Sequence, residues 1–223
     1  EDLRHSLAVP AGLWITRQHP ESGRRYRSST RSTCRIFAGM HQTPIRALLL
    51  TGTVGSGKTT VAETVGDLLS DAGIAHAVID VDWLRRSWPC PPDDPFNGGM
   101  ALRNLRAVAQ NYLRAGCARL VLAGVLESRV ERDAYQDAVT VPLTVCRLRV
   151  DLSTIRQRLI RRHENDDDGL RWHLNRSGEL DRILEQARVE DVVVDATTTS
   201  IRETAEAVMA AIRWSPIRPG QPR

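Results

Sequence analysis

Eight consecutive residues constrain this chain more than any other feature: Gly52-Thr53-Val54-Gly55-Ser56-Gly57-Lys58-Thr59, which satisfy the pattern G-x-x-x-x-G-K-[ST]. Glycines at these positions let backbone N–H groups curl around an anion without a Cβ in the way, and a helix starting at the end of the loop adds the positive end of its dipole. A lysine at the seventh position reaches the outer phosphates, and the following hydroxyl suits Mg²⁺. Such a loop works only between a buried strand and an amphipathic helix. The flanking residues meet that demand: Ala47-Leu48-Leu49-Leu50-Thr51 is a short apolar run before it, and Val61, Val65, Leu68 and Leu69 recur on one side of a helix spanning 58–72. The residues of the loop, with Thr60 behind it, are therefore expected to bind the phosphates of ATP, with Lys58 on the phosphates and Thr59 on the metal.

The rest of the pattern extends this unit. Strands are expected at 76–80, 120–123, 143–150 and 192–195, with helices at 100–115, 152–163, 178–188 and 200–212, and loops at 88–99 and 164–169. Strands alternating with helices give parallel βαβ units. The expected class is α/β, with one domain over 45–214. Residues 1–44 and 215–223 show no sustained period and are expected to be a disordered or non-native extension and a disordered tail.

In a parallel sheet, ligands sit beyond the carboxyl ends of the strands. The segment Ile79-Asp80-Val81-Asp82-Trp83-Leu84-Arg85 thus brings Asp80 and Asp82 to the crevice of the glycine loop. A carboxylate there can take the proton of an attacking hydroxyl or hold Mg²⁺. Asp82 is the candidate base, Asp80 a candidate metal-side group, and the sequence leaves open which of the two does which. Arg85, a turn later, is placed to clamp an anionic group. The segment Arg156–Arg162, followed by an acidic glycine loop, has the layout of a mobile lid, with Arg158 and Arg162 on one helical face as candidate charge-neutralising clamps. Trp172, Arg176 and Glu179 are candidates for the closing edge of that lid, and Thr197, Thr198 and Thr199 for a border of the adenine or for a helix cap.

Composition excludes several classes. The chain holds 30 arginines and a single lysine, Lys58. A guanine-specific Asn-Lys-x-Asp element therefore cannot exist, and arginine clusters carry little information. Residues 1–46 have a net charge of +5 out of the total +4, so the basic excess lies outside the α/β domain and argues against nucleic-acid binding. No apolar run is long enough for a membrane span. The four cysteines form no CxxC pair, which points to reduced thiols in the cytoplasm.

At the Walker loop, the Asp80-x-Asp82-x-x-Arg85 element and the arginine-rich lid, residues 46–214 resemble the adenylylsulfate kinase and gluconate kinase group of P-loop small-molecule kinases. The resemblance implies a P-loop NTPase three-layer sandwich with a five-stranded parallel sheet in the order 2-3-1-4-5, ATP and Mg²⁺ as cofactors, and a small-molecule hydroxyl acceptor as partner. Two departures fall where that acceptor would lie. Asp80-Val81-Asp82 stands where adenylylsulfate kinases have Asp-Gly-Asp, and Gly124–Arg129 lacks their Ser-Pro element. The expected activity is transfer of the γ-phosphoryl group to a small-molecule hydroxyl. Nucleoside or nucleotide kinases, and a non-metabolic ATP-binding switch, are the alternatives.

Overall fold

The structure, a computed structural model, describes residues 44–214; the expectations for the extension before residue 44 and the tail after 214 lie outside the described residues. The chain divides between His41 and Gln42, and the described residues belong to the second unit.

Five strands, β1 (Arg46–Thr51), β2 (His76–Asp80), β3 (Arg119–Ala123), β4 (Leu143–Arg149) and β5 (Val192–Asp195), form one parallel sheet in the order β2-β3-β1-β4-β5. That is the order expected. β1 lies at its centre because it is apolar on both faces. Ala47 and Leu49 look into one layer, with Leu105, Ala109 and Tyr135; Leu48 and Leu50 look into the other, with Val61, Val65 and Val208. The first layer is built by α3 (Gly98–Arg114) and α4 (Arg129–Val139), the second by α1 (Lys58–Asp71) and α7 (Ile201–Ala211). Leu48, Leu49 and Leu50 are fully buried. Truncating any of them to alanine costs about 2–5 kcal/mol.

A third, smaller cluster positions the site. Ile155 and Leu159 of α5 (Leu152–Arg162) pack with Val150 and Ala196, against Leu170 and Leu174 of α6 (Asp167–Ala187) and against Val54 of the glycine loop. α5 and α6 are thus seated directly on the glycine loop.

Two regions differ from the sequence reading. The stretch 164–169 is only partly a loop: α6 starts inside it and runs for 21 residues, where a helix over 178–188 was expected. The acidic residues are the reason. Asp166 caps the helix by accepting from the Gly169 N–H, and Asp167 and Asp168 fill the first turn, where negative charge meets the positive helix end. The same hydrogen bond holds the Asp166 carboxyl below the usual carboxylate range. Secondly, 129–139 is a helix that the sequence reading left unassigned. Its cap is Ser128, whose hydroxyl accepts from the Glu131 N–H at 3.2 Å. A one-turn helix, α2 (Val81–Leu84), follows β2, and Asp80 caps it. Among the described residues no helix is long and apolar enough to cross a membrane.

Candidate functional site

The loop between β1 and α1 has the shape its glycines require. Gly52, Gly55 and Gly57 have φ of 152°, 82° and 91°, conformations that side chains rarely adopt. At Gly52 there is no room either, because a Cβ would stand 2.7 Å from the Leu148 carbonyl oxygen. Lys58 folds back over the loop and donates to the carbonyls of Gly52 (3.1 Å) and Thr53 (2.9 Å). Burial lowers its pKa from 10.5 to about 8, against the pull of Asp82 and Asp80 and with a further push from Arg162. A buried ammonium, whose charge desolvation disfavours, gains from a polyanion placed beside it. The hydroxyls of Thr53 and Ser56 are buried without a hydrogen-bond partner among the described residues.

Asp80 and Asp82 both stand at the carboxyl end of β2, but in different surroundings. The Thr59 hydroxyl donates to one Asp80 oxygen at 2.8 Å, and the Asp82 N–H donates to the other at 2.9 Å. Both Asp80 oxygens are engaged. Asp82 is exposed and its carboxylate lies 3.4 Å from Arg85 Nε, so it keeps a face open to the crevice. Mg²⁺ binds hard oxygen ligands and commonly takes only one or two from protein, the remainder from phosphates and water. Thr59 and Asp80 fit that set: a hydroxyl and a carboxylate already in contact at the foot of the phosphate loop. Tyr135 is buried nearby, and burial pushes its phenol pKa up to about 12, with the charge of Arg85 opposing the rise.

The arginines expected to form a lid lie on α5 and α6. Arg158 reaches the carbonyl oxygens of Ala196 (3.2 Å) and Gly55 (3.5 Å), so it bridges α5 to the loop. Arg162, one turn later, is exposed, and its charge is felt at Lys58. Arg176 of α6 is fixed: it pairs with Glu127 and, at 2.7 Å, with Glu179, and lies over the Phe96 ring at 5.6 Å. Trp172, one helical turn before it, is exposed. The threonines after β5 make turn and cap contacts. Asp195 accepts from the Thr197 N–H at 3.0 Å, and the Thr199 and Thr204 hydroxyls meet at 2.8 Å.

Three contributors to the crevice were not read from the sequence. Glu127 follows β3, and burial raises its carboxyl pKa while Arg176 opposes the rise. Tyr135 reaches in from α4. Asn97, buried at the start of α3, donates its amide to the carbonyls of Arg85 and Ser87, each at 3.0 Å, and so ties the 88–97 loop to the crevice. The segment carrying Glu127 is itself sewn to β1, since the Leu126 N–H donates to the Thr51 hydroxyl at 3.2 Å. A signal that could have located the helix after Glu127 is Ser128-x-x-Glu131, a helix-start pattern.

Comparison with known proteins agrees with this geometry. A family model for the AAA domain matches residues 48–192. The chain is 30% identical over 184 residues to the bifunctional enzyme CysN/CysC of Rhodopirellula baltica, covering 74% of this chain and 26% of that protein. It therefore spans about a quarter of that relative. Among solved structures, the tunicamycin resistance protein of Deinococcus radiodurans superposes with a TM-score of 0.56 at 18% identity, covering 75% of this chain and 95% of that one. A gluconokinase from Sinorhizobium meliloti does so with a TM-score of 0.51 at 20% identity, over 76% and 93%. At such identities the likeness is one of fold.

Proposed function

Since the chain belongs to the AAA domain family through residues 48–192, we propose that it is an ATP-dependent phosphotransferase acting on a hydroxyl of a small molecule. One observation carries the reading. The 2.8 Å contact between Thr59 and Asp80 joins the phosphate loop to the end of β2, and leaves Asp82 open beside it. That divides the two carboxylates into a metal-side group and a base.

In this reading the loop amides of residues 53–59 and the Lys58 ammonium hold the β- and γ-phosphates. Mg²⁺, held by Thr59 and Asp80, would supply charge neutralisation on the phosphate oxygens. Asp82 accepts the proton of the acceptor hydroxyl as its oxygen bonds to the γ-phosphorus and the bond to the β–γ bridging oxygen breaks, releasing ADP. Arg85 orients Asp82. Arg158 and Arg162 lie on the lid where charge spreads over the transferred group, so they act by positioning and neutralisation. The acceptor partner is a small molecule, and the free thiols of Cys90, Cys117 and Cys146 among the described residues suit the cytoplasm.

Coupled ADP release against a panel of hydroxyl acceptors tests this, with Lys58→Ala as control. Acceptor-dependent release that the control abolishes supports it. Turnover confined to nucleosides or nucleoside monophosphates selects the nucleotide-kinase alternative. Slow release indifferent to every acceptor leaves an ATP-binding switch.

A further inference from the structure

Where α5 ends and α6 begins, two histidines face each other. His163 closes α5 and His173 lies in the second turn of α6; their ring centroids are 4.7 Å apart, with the planes inclined by 34°. Each ring is tied to the turn between the helices. His173 Nδ1 lies 2.8 Å from the Gly169 carbonyl oxygen, which can only accept, so this nitrogen carries a proton. His163 Nδ1 donates across 3.3 Å to one oxygen of Asp166, whose other oxygen accepts from the Gly169 N–H at 2.9 Å. One carboxylate thus caps α6 and holds the end of α5.

This joint is complete with both imidazoles neutral. A further proton on His163 would sit on Nε2, which is buried without a hydrogen-bond partner among the described residues. A further proton on His173 meets burial first, then the His163 ring and Arg162; the Gly169 carbonyl and Asp166 oppose these, and the balance holds its pKa below the ordinary 6.5. The surrounding charges do not offset two imidazolium ions. Asp166 stays ionised, since the Gly169 N–H keeps its carboxyl below the usual carboxylate range, but both its oxygens are already engaged. Glu164, Asp167 and Asp168 are exposed, with Asp168 3.7 Å from Arg171, and Arg161 and Arg162 add positive charge at the end of α5. Val54 of the glycine loop, Val150 and Ala196, which pack against the two helices from the other side, are apolar.

The joint matters because of what it holds. Leu170 and Leu174, on either side of His173 along α6, pack with Ile155 and Leu159 of α5, and that cluster seats both helices on Val54. We propose that the His163–His173 stack is an acid-sensitive joint: charging both rings drives α5 and α6 apart and loosens them from the phosphate loop. The sign follows from the closed arrangement disfavouring the imidazolium. His173 binds its proton more readily once the joint has opened, so the joint is intact above about pH 6.5 and weakens as pH falls below it. The device does not depend on which reaction the site performs.

Amide hydrogen exchange of the full chain at pH about 7.5 and about 5.5, either side of the histidine range, reads this joint. After scaling for the intrinsic pH dependence of exchange, residues 152–175 should exchange about tenfold faster at the lower pH, the order expected for two like charges in ring contact. β1 and β3 should keep their protection. His173→Phe keeps a ring against His163 and removes the proton site, so its acceleration should stay under about twofold. ATP retention gives a second reading, because protonation of ATP itself is common to both proteins. Its fall over the same interval should be at least about threefold larger in the unaltered chain than in His173→Phe. Should that variant be unstable at neutral pH, the imidazole proton resonances of the unaltered chain decide: the two rings should titrate in two separate steps, the lower coinciding with the rise in exchange. Protection unchanged in acid, equal acceleration or an equal fall in ATP retention in His173→Phe, or both rings titrating in one step overturns the inference. ATP not retained at either pH, with exchange accelerated as expected, removes the phosphotransferase reading and leaves the joint standing.

Discussion

On one side of the crevice, residues 52–59 meet a ligand with main-chain amides and one ammonium; on the other, residues from four separate segments meet it with paired side chains. The phosphate side is local. Its shape follows from consecutive residues, Gly52, Gly55, Gly57 and the helix that starts at Lys58, with β4 and α5 packed against it. The acceptor side is non-local: Glu127 and Arg176 are 49 residues apart, and Asn97 ties back to Arg85 and Ser87. The difference teaches that anchoring and discrimination are separable here. A backbone cradle holds any suitable polyphosphate, whereas a side-chain network can be re-paired for a different acceptor without disturbing it.

The largest effect should come from separating the two carboxylates. Asp82→Asn is expected to lower kcat by about 10²–10⁴-fold, the range for loss of a general base, with ATP retention little changed. Asp80→Asn should instead weaken metal-dependent ATP retention, because it removes the negative charge beside Thr59. Equal losses in both measurements for both variants would erase the division drawn between these residues. Next in size is Lys58→Ala. ATP retention in the presence of magnesium should fall by about 10²–10³-fold, measured by equilibrium dialysis. Retention within a few-fold of the unaltered protein would remove the foundation of the phosphate side.

That side was legible in the sequence because its chemistry is written in consecutive residues. The glycines, the lysine and the hydroxyl each have one task, and Lys58 is the single lysine of the chain. The sheet was legible for a similar reason, since short apolar runs such as Leu48-Leu49-Leu50 announce buried parallel strands. The acceptor side was not. With 30 arginines, neither Arg85 nor Arg176 stands out, and a pairing across tens of residues leaves no periodic trace. Arg147 makes the point from the core: it sits nearly buried in β4, between Asp181 at 3.2 Å and Glu185 at 3.0 Å, both on α6. No local pattern marks it. The start of α6 was misread because an acidic run reads as a loop until Asp166 is seen to cap it.

Gly52→Ala probes how rigid the cradle is. The new methyl group meets the Leu148 carbonyl at 2.7 Å, on a backbone with φ of 152°. The variant should lose about 1–3 kcal/mol of stability, seen as a lower denaturation midpoint. A matching substitution at Gly73, where a Cβ would meet nothing within 4 Å, should cost less despite its φ of 67°. Equal losses would mean that strain in φ, rather than the close approach to β4, sets the loop.

The smallest effect sharpens the comparison furthest, because it concerns a single proton. In the free protein burial lowers the Lys58 pKa to about 8, while an unfolded lysine keeps 10.5. The folded group is thus depressed: between these values the unfolded chain binds the extra proton, so this residue's destabilising contribution is fully present below about pH 8 and fades as pH rises. For ligand binding the sign is reversed. Phosphates favour the ammonium and raise its pKa again, so binding takes up a proton wherever the free amine is partly neutral. ATP retention should therefore weaken by about tenfold between pH 7 and 9, and calorimetry at pH 8 in buffers of different ionisation enthalpy should report proton uptake. Lys58→Ala should flatten the dependence, whereas Glu127→Gln should leave it intact. A pH dependence that follows the Glu127 variant instead would mean that the two sides of the crevice are electrostatically one.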